Sequence, residues 1–204
     1  MRLSPLFASA ALLVLASAST SAARAQAPDP RLQQTLAKLD QASEHFNFAS
    51  ANFHKDLYNA LVKDHTPQDG QVYFLRTHNG GRGSVQMGAR ITGVGARTVE
   101  YKDGVVKDFN PGINCYDTVQ TNGNQTRIES FLTLGFGGSG TNLATAWNIV
   151  DKGQETLDGV KVEQLDLTPK DPGVQNQVTN VSLWLDLARG VSLKQVFVSP
   201  SGDI

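Results

Sequence analysis

Gly135, Gly137 and Gly140 spell G-x-G-x-x-G, the pattern that lets a backbone approach a pyrophosphate. Glu155 follows at about the distance from which an acidic residue takes a ribose hydroxyl. That chemistry needs a buried strand, the glycine turn and a long helix in one βαβ unit. Here only Thr141 to Trp147 has room to be helical, about two turns, so nucleotide binding is not expected and no cofactor is implied. His45, His54, His65 and His78 fall at uneven spacing with no H-x-x-x-H pair, and no metal centre is expected from them. Ser139 lacks a nucleophile elbow, because Thr141 stands where G-x-S-x-G requires its last glycine. Cys115 is the single cysteine, which excludes an intrachain disulfide. With no activating group beside it in sequence, it is expected to be half-buried and structural. No arrangement of catalytic acids, bases or nucleophiles stands out, so the chain reads as a binding protein and not an enzyme.

The elements around these residues are mostly strands. Asp29-Pro30 opens a helix, with Asp29 as cap and Pro30 at the first helical position, and Leu32, Leu36 and Leu39 recur at helical spacing. From Phe46 onward short runs alternate with turns. Phe46–Asp64 reads as extended, and Thr66 to Gly70 (TPQDG) is expected to be the turn that ends it. Val72–Thr77, Val85–Thr92, Arg97–Tyr101, Val105–Phe109 and Ile113–Gln120 follow as strands. Asn79-Gly80-Gly81, Lys102-Asp103-Gly104 and Asn110-Pro111-Gly112 are turns between them. This is an antiparallel meander, without the long crossovers of a parallel sheet. A second helical region, Arg127 to Trp147, is broken by glycines, and strands resume after it.

The tail carries the clearest strands. Val181, Leu183, Leu185 and Leu187 share one face, with Ser182, Trp184 and Asp186 on the other. Across Val160–Leu167 the apolar phase switches, which predicts a bulge there. After Val191–Ser199 comes a hairpin-turn signal, Ser199 to Asp203, and then only Ile204. The expectation is that the last strands of the domain are absent from this sequence.

Arg2, the apolar run Leu6–Leu15 and the small-x-small pattern Ala23-Arg24-Ala25 read as a cleavable secretory signal over residues 1–25. The run is too short to be a membrane span. Residues 26–204 then form one exported, soluble domain. Lys and Arg total 18 against 19 Asp and Glu, a balance that leaves no electrostatic footprint for nucleic acid. The strand pattern alone fits a β-sandwich core equally well.

Several local motifs in order point further. Tyr101-Lys102-Asp103-Gly104, then Val106 and Phe109-Asn110-Pro111, resembles the "DG…W/V-Y-x-P" hairpin of the periplasmic lipoprotein carriers, the LolA family. Leu165 to Lys170 (LDLTPK) is similar to the family's "F-x-L-x-P-K" strand end. Leu183 to Gly202, with Gln195-x-Phe197 and the Ser-Gly-Asp turn, is similar to the hairpin that follows. The resemblance covers about Leu32 to Asp203.

The resemblance implies a mainly β fold with a few helices: a half-open antiparallel barrel whose apolar concave face the helices cover as a lid. It implies a periplasmic monomer that holds the acyl chains of a lipoprotein, or another lipid, between an inner-membrane releasing transporter and an outer-membrane acceptor. Cavity residues expected on this basis are Phe48, Phe74, Met87, Tyr101 and Phe109 from the first strands. Leu165, Leu167, Leu183, Leu185 and Phe197 are expected from the last. The glycine segment, with Phe131, Leu134, Phe136 and Leu143, is expected to be the mobile lid. Arg76 matches the strand-end arginine that ties the lid shut in the family. Thr77 stands where the family has proline, and Arg82 and Arg90 are close enough to be the equivalent. The alternative is a lipid- or lipoprotein-sensing regulatory domain of related fold; a third reading is a secreted hydrolase with scattered catalytic residues.

Overall fold

The Asp29 carboxylate accepts the Arg31 N–H at 2.9 Å, and Pro30 fills a position whose N–H would have no partner. These two residues start α1 (Pro30–His45), which buries Thr35, Leu39 and Ser43 at four-residue spacing. The computed structural model describes residues 29–79, 82–121, 123 and 125–204. The signal-like segment 1–25 and the Gly80-Gly81 turn lie outside the described residues.

The predicted meander is one six-stranded antiparallel sheet, sheet A, in sequential order. Its strands are β1 (Phe48–Asn59), β2 (Asp64–Asn79), β3 (Arg82–Thr92), β4 (Arg97–Lys102), β5 (Val105–Asn110) and β6 (Cys115–Gln120). Asp103 and Gly104 both have positive φ, as a two-residue hairpin turn demands.

One turn is not where the sequence placed it. Thr66 to Gly70 lies inside β2, and the chain reverses at 60–63, where Asn59 Oδ1 accepts the N–H groups of Leu61 and Val62. Pro67 is tolerated in the strand because it stands opposite Asp56, at a position whose N–H would point towards β3. The β2–β3 ladder begins only at Asp69, so no bond is lost. Cys115 is also corrected: it is exposed, at the start of an edge strand whose residues are exposed throughout.

After the helices come β7 (Trp147–Leu157), β8 (Val160–Pro169), a single helical turn α4 (Pro172–Gln175), β9 (Asn180–Asp186) and β10 (Val191–Val198). They form sheet B, antiparallel in the order β10-β9-β8-β7. β9 alternates as read from the sequence, with Val181, Leu183 and Leu185 buried. The bulge expected in Val160–Leu167 sits on the partner strand instead, between Asp151 and Gly153 of β7. The apolar phase of β8 switches for another reason. Glu163 takes an inward position, where Arg31 of α1 reaches it at 2.9 Å and bonds Asp151 at the same distance. Both carboxylates are buried while Arg31 is half exposed, so the guanidinium closes over them from the solvent side. The Glu163 hydrogen bond is the largest influence raising the Arg31 pKa above its ordinary value.

The main core lies on the inner face of sheet B. Leu165, Leu167, Val181 and Leu183 are fully buried there, against Leu39 of α1, Leu134 and Trp147. Between β6 and β7 run α2 (Gln125–Leu132), a loop of residues 133–139, and α3 (Gly140–Ala146). The Asp40 carboxylate accepts both the N–H and the hydroxyl of Thr141, locking α1 to the start of α3. The two sheets are open antiparallel layers that do not close into a barrel. Past the end of sheet B, Ile204 exchanges backbone hydrogen bonds of 2.8 and 3.1 Å with Tyr58 of sheet A.

Candidate functional site

Directly paired residues of neighbouring antiparallel strands share a face. Phe74, Met87 and Tyr101 are paired in series across β2, β3 and β4, and Val72, Ala89 and Val99 form the next row. These rows make one apolar face of sheet A. Ser199 pairs with Asp203, and Ile204 with Tyr58, which puts that face and the inner face of sheet B on the same concave side. Leu165, Leu167, Leu183, Leu185 and Phe197 line the sheet B part of it.

Phe48 and Phe109 lie elsewhere. Phe48 pairs with Leu75, beside Phe74 and therefore on the opposite, outer face, and is 59% exposed. Phe109 also faces outward, packed on Tyr116 with ring centroids 4.5 Å apart. The outer face of β1 and β2 mixes Leu75, Tyr73 and Tyr58 with polar pairs: His54 bonds Asp69 and His65 bonds Asp56. Arg90 is on that face too and is exposed. The Arg82 side chain lies outside the described residues.

Residues 133–139 cross the concave side and touch both sheets. On the sheet B side the Ser192 N–H donates to Gly135 O, the Gly137 N–H to Gly190 O, and Gln195 Nε2 to Leu134 O. Leu134 is driven into the sheet B core and Leu143 packs against it. On the sheet A side Phe136 stacks on Phe74, centroids 4.1 Å apart and rings 13° from parallel. Phe131 meets Phe197 at 5.7 Å.

The G-x-G-x-x-G glycines have packing roles here. A Cβ on Gly137 would lie 2.3 Å from the Phe46 ring, in a residue with φ of +66°. One on Gly140 would lie 2.1 Å from the Leu36 carbonyl oxygen, where α3 crosses α1. α3 spans seven residues and leads into an antiparallel strand, so no phosphate-binding βαβ unit forms.

Beneath the loop is a cavity of about 340 Å³, in the range that takes small ligands. Leu39, Leu134, Trp147, Leu183 and Leu185 form its apolar wall; Arg76, Val85 and Glu129 face them from the other side. The Arg76 guanidinium lies 5.9 Å from the centre of the Phe46 ring. Burial pulls its pKa below the ordinary value while the Glu129 charge opposes that shift. Glu129 Oε1 also accepts the Tyr101 hydroxyl at 2.7 Å. The charged groups in the wall thus have partners of their own. Sequence reasoning missed Val85, Glu129 and Trp147. Val85 is readable in principle, since it pairs with Arg76 across a hairpin; the approach of Glu129 to Tyr101 spans 28 residues and has no local signal.

Past Phe136 the concave face of sheet A keeps apolar side chains open to solvent among the described residues. Phe53, Val72, Met87, Ile91 and Val99 remain partly exposed, and Leu57 and Val119 are exposed. The same face also carries Lys55, Gln68 and the Arg97–Asp108 ion pair at 3.3 Å, so polar groups border its apolar rows. Among the described residues no helix is long and apolar enough to cross a membrane.

No protein-family profile matches the chain, and no curated protein matches it by sequence. Solved structures do resemble it. MucB aligns with a TM-score of 0.50 at 16% identity, over 86% of this chain and 55% of MucB, so the chain spans about half of that protein. A putative outer membrane lipoprotein-sorting protein domain from Vibrio parahaemolyticus aligns with a TM-score of 0.44 at 14% identity, over 84% of this chain and 74% of the other. LprF from Mycobacterium bovis gives 0.43 at 16% identity, over 86% and 90%. At these identities the likeness concerns architecture alone: two open antiparallel sheets with helices between them.

Proposed function

We propose that this protein is a periplasmic carrier that hides the acyl chains of a lipoprotein, or of another lipid, from water. The observation that carries the reading is the row of apolar side chains on the concave face of sheet A, partly exposed among the described residues, beside the loop 133–139. An acyl chain in water costs about 0.8 kcal/mol per methylene, so a carrier must offer a long apolar surface. Phe74, Met87, Val72 and Val99 supply that surface, and the cavity under Leu134 continues it. The loop is the lid. Swinging Phe136 off Phe74 exchanges one apolar contact for another, which is how a carrier without an energy source loads and releases. Residues 1–25 act as the export signal, and 26–204 are the binding domain. Loading from an inner-membrane transporter and delivery to an outer-membrane acceptor complete the cycle.

Native mass spectrometry of the purified chain with a synthetic triacyl lipopeptide tests this. The expected result is a one-to-one complex that gives up its ligand to acceptor vesicles. A chain that ignores the lipopeptide contradicts the reading. A chain that binds it but never passes it on points to the sensing role instead.

A further inference from the structure

Arg76 continues the concave row of β2 beyond Val72 and Phe74, with Val85 of β3 directly opposite. Its backbone N–H donates to Asn47 O, and its side chain lines the cavity under the loop 133–139. A guanidinium carries five N–H donors. The Arg76 side chain is half-buried, yet among the described residues it donates no hydrogen bond to the protein. What it meets is the face of the Phe46 ring at 5.9 Å and the charge of Glu129. Donors drawn into a largely apolar cavity without acceptors are costly, and a bound acceptor removes that cost.

The charges in the cavity decide which acceptor fits. Among the described residues, Arg76 and Glu129 are the only charged side chains in its wall. Glu129 is held by the Tyr101 hydroxyl, which donates to its Oε1 at 2.7 Å. One cation therefore already faces one carboxylate. A ligand carboxylate or phosphate would set two negative groups against a single guanidinium in a poorly hydrated space, which is unfavourable. A neutral carbonyl oxygen takes the same N–H groups and adds no charge. Opposite Arg76, the wall of Leu39, Leu134, Trp147, Leu183 and Leu185 receives the hydrocarbon attached to that carbonyl.

We propose that Arg76 is the polar subsite for the ligand: its guanidinium donates to the ester or amide carbonyl at the root of an acyl chain, while Glu129 turns free fatty acids away. The ligand class, which rests on the carrier role above, narrows to neutral acyl esters and acyl amides.

Displacement of a pyrenyl-alkane from the purified chain by 1-lauroylglycerol and by laurate, at about pH 8 where laurate is ionised, tests this. The pyrenyl-alkane has no hydrogen-bonding group and reads the apolar site alone. The ester should bind about tenfold or more tightly than laurate, the scale of one hydrogen bond to a charged group. Glu129→Gln removes the opposing charge and should close most of that gap. Arg76→Met keeps an apolar stem without donors and should weaken the ester by about tenfold. Equal binding of ester and laurate by the unaltered chain overturns the proposal and leaves the carrier role standing; that comparison needs no variant to fold. A gap unchanged in Glu129→Gln, or an ester affinity unchanged in Arg76→Met, overturns it as well. A pyrenyl-alkane that does not bind at all overturns both the proposal and the carrier role.

Discussion

Phe136 stacks on Phe74 at 4.1 Å, and this pair joins a loop fastened to sheet B to the apolar face of sheet A. The loop's backbone bonds run to Gly190 and Ser192, on the sheet B side. Its hold on sheet A is apolar, without direction, and is the kind of contact a hydrocarbon chain can replace.

In the proposed carrier, Phe136→Ala should free the loop from sheet A while leaving its anchor on sheet B in place. The expected outcome is faster loading and faster release of a fluorescent acyl probe in stopped flow. The accompanying stability loss should be about 1–3 kcal/mol, since an aromatic pair adds roughly 0.5–1.5 kcal/mol to the area buried. Denaturant unfolding measures the second quantity.

Gly140→Ala probes the packing of α3 on α1. The added methyl would lie 2.1 Å from the Leu36 carbonyl oxygen, backbone against backbone, with no flexible side chain to yield. Overpacking of this kind costs about 1–3 kcal/mol or more. A clear drop in melting temperature is expected, in contrast to Gly159→Ala, whose Cβ would meet nothing within 4 Å and whose cost comes only from its φ of +80°.

Asp186 gives a pH signature. Burial pushes its carboxyl up, but the Arg189 guanidinium and the N–H groups of Arg189 and Ala188 outweigh that and hold it below the usual value. A depressed folded pKa contributes stability above the unfolded value, about 3.9, that is lost as pH falls through the folded one. Asp186→Asn should lower the melting temperature by an amount that is constant from about pH 7 to 5 and shrinks below about pH 4. The loss near neutrality should be on the order of 1 kcal/mol, as for other capping carboxylates. A gap that persists at low pH would contradict the assignment.

Much of the architecture was legible in the sequence because its signals are local. Asp29-Pro30, the Asp103-Gly104 turn and the Val181–Leu187 alternation each need only a few adjacent residues to be read. The failures share a cause in pairing. Pro67 looks like a strand breaker until the β3 ladder is seen to begin at Asp69. Glu163 looks like a break in phase until Arg31, 132 residues away, is placed over it. Half of the candidate site follows the same divide. Phe74, Met87 and Tyr101 fall on one face once the hairpin registers are fixed, whereas Phe48 and Phe109 carry the same side chain on the opposite face. Hydrophobicity alone cannot separate them; parity within the strand does.

That parity also supplies the most direct test of an apolar concave site. Met87 faces the concave side and Gln86, its neighbour in β3, faces out. Glutamate at either position adds the same charge to the same strand. Acyl-probe titration of Met87→Glu and Gln86→Glu should show binding lost in the first and retained in the second, with both proteins folded by circular dichroism. Equal binding by the two variants would contradict the account.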